Sequence, residues 1–304
     1  MNAQQQDTVI QVRGLRRRFR KTYALDGIDL EVPRGCVFGL VGENGAGKTT
    51  LIKHLLGLLR AKEGMVRVFG MDPVRDAERV LARLGYLSED RDIPHWMRVD
   101  ELMRYMRAFY PSWDVQFAEE LRETFGLDPE QRIKDLSRGQ KAEAGLLAAL
   151  AYRPELLILD EPSSGLDAVV RQEILGAIIR TVADEGRTVL FSSHLLDEVE
   201  RVSDYVAMIH HGKVVLSGSV DSVKESHRRL TVVFKTPLAQ GPEWPSALRI
   251  SKLGDGREWS VVCNGEIEPL RRAVAESGGR IAEEQAASLE DVFIARAGKR
   301  GSRP

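Results

Sequence analysis

One stretch of this chain has the residue types and spacing to hold a chain of phosphates: Gly42-Glu43-Asn44-Gly45-Ala46-Gly47-Lys48-Thr49-Thr50. Gly42, Gly45 and Gly47 allow a turn whose backbone N–H groups converge on anionic oxygens. A helix expected to begin at once adds partial positive charge at its N-terminus. Lys48 can reach the outer phosphates, and the Thr49 hydroxyl can ligate magnesium. A second element is the apolar run Leu156 to Leu159 ending in Asp160-Glu161. There Asp160 would hold magnesium through water, and Glu161 would polarise a water for in-line attack at a γ-phosphate. Alone, an apolar run ending in acids often marks no more than a strand exit. Beside a phosphate loop it points to phosphoryl-transfer chemistry.

Such residues need a rigid frame, and the surrounding pattern supplies one. Short apolar stretches at Val9 to Val12, Ile28 to Val32 and Cys36 to Val41 read as strands, bounded by Gly14, Gly27 and Pro33-Arg34-Gly35. The last lacks alternation, as a strand buried on both faces does, and it runs straight into the phosphate loop. Leu51, Ile52, Leu55, Leu56 and Leu59 then form a helical stripe. Gly64 to Gly70 reads as a strand, Val80 to Leu84 as a helix and Gly85 to Leu87 as a strand. From Val99 to Gly126 the apolar spacing is helical, with Pro111 separating two helices. The reading continues with an Ala- and Leu-rich helix after Gln140, a strand at Leu156 to Leu159, a helix at Val169 to Glu185 and a strand at Thr188 to Ser192. Tyr205 to Ile209 and Lys213 to Leu216 read as a hairpin turning at His211-Gly212. Past about Lys224 the order breaks. Strands at Thr231 to Phe234 and Trp259 to Cys263, and helices near Pro269 to Glu276 and Leu289 to Ala297, suggest a small α+β domain. The basic tail Lys299 to Pro304 is expected to fray. The expected fold is α/β: a P-loop core with a mixed sheet over 8–222, a helical insert at about 90–150, and an accessory domain at 223–298.

The chain has 304 residues, 43% hydrophobic and 29% charged, so a packed core is expected. With 44 basic and 45 acidic side chains there is no general drive toward nucleic acid. The run Arg16-Arg17-Arg18-Phe19-Arg20-Lys21 reads as a solvated loop near the nucleotide. Cys36 and Cys263 match no metal or redox spacing and read as packing residues in a reducing compartment. His54, His95, His210, His211 and His227 show no metal-ligand pattern. No apolar stretch approaches the length of a membrane span, and the Gln-rich start has no signal-peptide core. The expectation is a cytoplasmic protein, for which any membrane role must come through a partner.

Between the two chemical elements stands Leu136-Ser137-Arg138-Gly139-Gln140. After them come Ser163-Ser164-Gly165-Leu166-Asp167 and Ser192-Ser193-His194. In this order the motifs resemble the ATP-binding cassette (ABC) ATPases, whose signature, D-loop and switch histidine they match; the likeness covers about Val9 to Gly218. It implies a homodimer that sandwiches ATP between one subunit's loop (Gly42, Asn44, Gly45, Ala46, Gly47, Lys48, Thr49, Thr50) and the other's signature (Ser137, Gly139, Gln140). Ser137 and the Gly139 amide would contact the γ-phosphate, at a helix start with N–H groups to offer. His194 would bond the γ-phosphate and orient Glu161 or the water, completing a catalytic set with Lys48. Phe19 is the candidate to stack on adenine, with Tyr23 the runner-up. Magnesium falls to Thr49 and Asp160, with Glu89 near.

Two positions depart from the family pattern. Glu89 stands where glutamine is usual; a carboxylate can approach magnesium but changes the geometry. Arg138 stands where glycine is common, and either pairs with phosphate or acidic groups or faces solvent. The resemblance implies ATP hydrolysis coupled to a separate membrane permease, docked at the helical insert and its approach (Ile93, His95, Trp96, Met97). The single cassette and appended C-terminal domain suggest export, with import the alternative. A soluble ABC ATPase acting on ribosomes or DNA usually carries two cassettes or a coiled-coil insert, and neither is present. Intact Lys48, Asp160, Glu161 and His194 argue against a subunit without turnover. A GTPase reading lacks an Asn-Lys-x-Asp element.

Overall fold

The computed structural model describes residues 8–298 apart from 92, 184, 185 and 266. The Gln-rich start, the tail Lys299 to Pro304 and the expected helix end at Glu185 lie outside the described residues. The chain divides into two compact units, Met1–Leu195 with Val202–Val214, and Leu196–Arg201 with Val215–Pro304.

The first unit opens with a long antiparallel pair, β1 (Thr8–Phe19) and β2 (Thr22–Pro33). The strands outrun the short alternations in the sequence because irregular register, with Gly14 at φ +56°, carries β1 past the point where alternation fails. The Asp29 carboxylate accepts the Gly14 N–H at 2.9 Å. Arg16, Arg17 and Arg18 therefore lie on a strand, which corrects the loop expected there. Arg16 pairs with Asp26, and the Arg18 guanidinium lies over the Tyr23 ring. β4 (Glu63–Val68) adds to the other side of β1, giving the order β2-β1-β4.

The second sheet is built from β3 (Val37–Val41), β5 (Leu84–Leu87), β6 (Leu156–Asp160), β7 (Thr188–Ser193) and β8 (Tyr205–His210). They run parallel in the order β5-β6-β7-β3-β8, with the start of β9 (Lys213–Ser219) beside β8. Every residue of β3, β6 and β7 is buried, which explains their unbroken apolar runs. Helix α1 (Lys48–Leu55) packs against β2, β4 and β6. Its Leu51, Ile52 and Leu55 belong to one buried cluster with Leu15, Ile28, Phe38 and Ile158, so both sheets grip it.

α2 (Ala77–Leu81) starts three residues before the expected helix, since Leu84 is already strand. The insert holds α3 (Val99–Phe109) and α4 (Val115–Thr124), whose N-cap Asp114 accepts the Phe117 N–H at 3.0 Å. Against them packs the largely buried α5 (Arg138–Leu150), followed after β6 by α6 (Ala168–Ala183). Among the described residues no helix is long and apolar enough to cross a membrane.

The second unit includes the start of α7 (Leu196–Val202), then α8 (Val220–Ser226), β10 (His227–Phe234), β11 (Ala247–Leu253), β12 (Glu258–Asn264), α9 (Ile267–Glu276), β13 (Gly279–Ala286) and α10 (Leu289–Gly298). Its sheet is antiparallel, ordered β11-β12-β10-β13, over a core including Leu230, Val232, Trp259, Val261, Leu270 and Val274. β11, β13 and the short α7 and α8 had no signal in the sequence reading.

Candidate functional site

Parallel strands deliver the chemistry to one edge: β3 ends at the phosphate loop, β5 at Glu89, β6 at Asp160 and Glu161, and β7 at His194. This carboxyl edge is where open α/β sheets place ligands.

The loop is set by close backbone contacts. Gly47 has φ +115°, and a Cβ there would lie 2.4 Å from the Ala24 carbonyl; a Cβ on Gly42 would lie 2.4 Å from that of Ile209. The Ala46 carbonyl accepts the Gly212 N–H at 3.0 Å, and the Gly212 carbonyl accepts the Asp26 N–H at 2.7 Å. The loop is thus tied to β2 and the β8–β9 turn. No side chain caps α1, so the N–H groups of its first turn point out of the helix start as a cradle for anions.

Lys48 is buried and donates to the Gly42 carbonyl at 2.6 Å and to that of Glu43 at 3.3 Å, while its Nζ lies 2.9 Å from Glu161 Oε1. Glu161 Oε2 lies 2.7 Å from His194 Nδ1. One carboxylate thus stands between a lysine from one strand end and a histidine from another. Glu161 reaches it from a left-handed backbone, φ +48°, a conformation costing a non-glycine residue about 1 kcal/mol or more. The Glu161 N–H donates to Ser192 Oγ at 2.9 Å, and its carbonyl accepts the Ser164 N–H at 3.1 Å. Ser192 in turn donates to Asp160 Oδ1 at 2.7 Å. Ser192 is fully buried and holds both acids of the pair, a role its place in a Ser-Ser-His run did not reveal; its signal was a polar residue closing an apolar strand.

An open cleft of about 320 Å³ is lined by Ala24, Asn44, Gly45, Gly47, Lys48, Thr49, Thr50, Glu89 and Glu161. Thr49, Glu89 and Asp160 carry hard oxygen donors of the kind magnesium takes. Thr49 and Glu89 face the cleft, and Asp160 sits buried behind it with Oδ1 engaged by Ser192. The donor set and the glycine cradle fit a magnesium nucleotide. Phe19 and Tyr23 are exposed, 46% and 47%, and neither lines the cleft, though Ala24 beside Tyr23 does.

Ser137, Gly139 and Gln140 do not line this cleft. They begin α5 in a capping box: Ser137 Oγ accepts the Gln140 N–H at 3.1 Å, and Gln140 Oε1 accepts the Ser137 N–H at 3.0 Å. The Ser137 hydroxyl hydrogen is left as a donor on an exposed residue. Of the two courses open to it, Arg138 takes the solvent-facing one, since the residue is exposed, and its guanidinium also lies against Gly165, where a Cβ would stand 2.2 Å from Nη1.

The ABC transporter family pattern matches residues 25–164. The chain is 31% identical to the uncharacterized ABC transporter ATP-binding protein YhaQ of Bacillus subtilis (strain 168), over 90% of this chain and 94% of that one. It is 35% identical to the daunorubicin/doxorubicin resistance ATP-binding protein DrrA of Streptomyces peucetius, over 71% of this chain and 67% of the other. Among solved structures, an ATP binding subunit of an ABC transporter matches with TM-score 0.66 and 27% identity, covering 72% of this chain and 92% of that one.

Proposed function

This chain belongs to the ATP-binding proteins of ABC transporters, a family of ATPases, and from that premise we propose that two copies close on ATP and drive a separate membrane permease in the export direction. The observation that carries the sandwich is the half-built cleft. It offers a phosphate loop, Glu89 and Glu161, while the helix start of the signature, with its unspent Ser137 donor, does not line it. A second copy would supply that helix start to the cleft, and each site would then contain Lys48 of one subunit and Ser137 of the other.

Within a closed site Lys48 and the α1 amides would bind the β- and γ-phosphates. As Lys48 turns from Glu161 to the phosphates, Glu161 Oε1 would be freed to accept the proton of the attacking water, with His194 holding Oε2. His194 meets Glu161 through Nδ1, so a contact with a phosphate oxygen falls to Nε2, which donates there only when both ring nitrogens carry hydrogen. Thr49, Asp160 and Glu89 would hold magnesium, which when bound offsets the charge on the phosphate oxygens. Exposed aromatics of the insert, Trp96 at 70% and Phe109 at 63%, are the proposed permease contact, which would set the chain on the inner face of the membrane. The likeness to a resistance protein supports export, because resistance is served by moving a compound out.

Complementation tests the shared site. With Glu161→Gln in every chain to block turnover, Lys48→Ala and Ser137→Arg homodimers should each fail to retain ATP. Mixed, they should recover toward about a quarter of the parent's retention, since random pairing makes about half the dimers mixed and each has one intact site. No recovery, with subunit exchange shown by differently tagged chains, would refute the two-site sandwich.

A further inference from the structure

Two residues past Glu89 the backbone turns at Arg91, φ +51°, and its side chain is only 6% exposed. Its Nη2 donates to the Ser164 carbonyl at 2.9 Å. Ser164 belongs to the turn after Glu161, and its own N–H donates to the Glu161 carbonyl at 3.1 Å. On the other side, the Arg91 N–H donates to the Ser88 carbonyl at 3.1 Å. One guanidinium therefore links the segment carrying Glu89 to the turn carrying Glu161.

The arrangement is electrostatically poor as mere packing. Burial and the nearby Arg138 charge hold Arg91 below the usual arginine range, with Glu89 acting in the opposite sense. A buried cation beside a second cation, bonded to a neutral carbonyl, is a position where an apolar side chain of similar size would often serve stability as well. What an apolar chain could not do is grip the carbonyl.

We propose that Arg91 is a positioning residue for ATP hydrolysis: through the Ser164 carbonyl it fixes the spacing between the two cleft carboxylates, Glu89 and Glu161. The proposal deepens the hydrolytic reading above and rests on it. Because Arg91 does not line the cleft, its loss acts on the chemical step and not on nucleotide capture.

The test is steady-state ATP hydrolysis by the full chain carrying Arg91→Met, Arg91→Gln or Arg91→Lys, with thermal melting as the folding control. Methionine fills the space without a donor, and glutamine is too short to reach the carbonyl. Each should lower kcat at least tenfold with KM within threefold of the parent. Lysine keeps the charge and one donor and should return kcat to within about threefold. If Arg91→Met does not fold, Arg91→Gln carries the same expectation. A kcat within threefold of the parent in the methionine or glutamine variant overturns the proposal, as does a parallel worsening of kcat and KM. Glu161→Gln runs alongside: turnover retained there removes the hydrolytic reading itself, whereas turnover lost there but kept in Arg91→Met removes only the role of Arg91.

Discussion

Replacing Glu143 with glutamine should stabilise the chain at pH 8 and leave its stability nearly unchanged at pH 5. Glu143 lies in α5, six residues past Ser137, and is 4% exposed. Burial, then a hydrogen bond with Glu173 of α6, then the charges of Glu173 and Asp167, push its carboxyl up from an ordinary 4.5 to about 7. The folded chain therefore keeps a proton that the unfolded chain has already released. Stability is full below about pH 4.5, declines as pH rises toward 7 and stays reduced above it. The shift sets a ceiling of roughly 3 kcal/mol, at about 1.4 kcal/mol per pH unit. Glu173 is exposed and can relax toward water, so a penalty on the order of 1–2 kcal/mol is the reasonable expectation. Glutamine cannot ionise, and its amide can donate to Glu173 as the protonated carboxyl does. At about 2–4 °C per kcal/mol for a domain of this size, the variant's Tm should exceed the parent's by roughly 2–8 °C at pH 8. Nucleotide-free thermal melts at half-unit steps from pH 5 to 8.5 give the curve directly. Parallel Tm curves for parent and variant, or a variant less stable at pH 8, would refute the reasoning.

Two further outcomes follow from buried groups. His227 donates from Nδ1 to the Val223 carbonyl at 2.7 Å and accepts at Nε2 from Arg296 at 3.1 Å. Burial, then the Arg296 charge, lowers its pKa against the pull of the Val223 carbonyl. The neutral ring is thus the folded form, and melting of the second unit should fall as pH drops through about 6.5 toward 5. His227→Gln should flatten that slope in pH-dependent circular dichroism melts. The Cys36 thiol is pushed up to about 12 by burial and the Asp204 charge, so at pH 8 it should resist iodoacetamide while the chain is folded and label within minutes once denatured, as read by intact mass.

The residues that became legible first are those for which the chemistry leaves little choice. Gly47 is named by its motif, and the structure gives the reason: any Cβ would strike the Ala24 carbonyl. Glu161 is equally legible as an acid ending an apolar strand, although its left-handed backbone and its Ser192 support are not. The parallel strands announced themselves because burial on both faces removes polar residues from them. β11 (Ala-Leu-Arg-Ile-Ser-Lys-Leu) and β13 (Gly-Arg-Ile-Ala-Glu-Glu-Gln-Ala) did not, because both are sheet edges with much exposed surface. Their positions are fixed by backbone pairing, which any residue but proline can make. Arg91 and Arg138 fall between these cases.

In sequence Arg91 is one charged residue in a polar stretch, and Arg138 is a departure with two open readings. Only the folded distances show that both side chains, the buried Arg91 and the exposed Arg138, turn onto the same segment after Glu161, at Ser164 and Gly165. A backbone carbonyl has no residue type, so nothing at position 164 advertises the acceptor that Arg91 uses. Gly165 does leave a trace, since it is the residue without a Cβ that gives the Arg138 guanidinium room. The contacts that set the geometry around Glu161 thus run largely through main-chain atoms. For that reason the reacting groups can be read from the sequence while the parts that aim them emerge only from the fold.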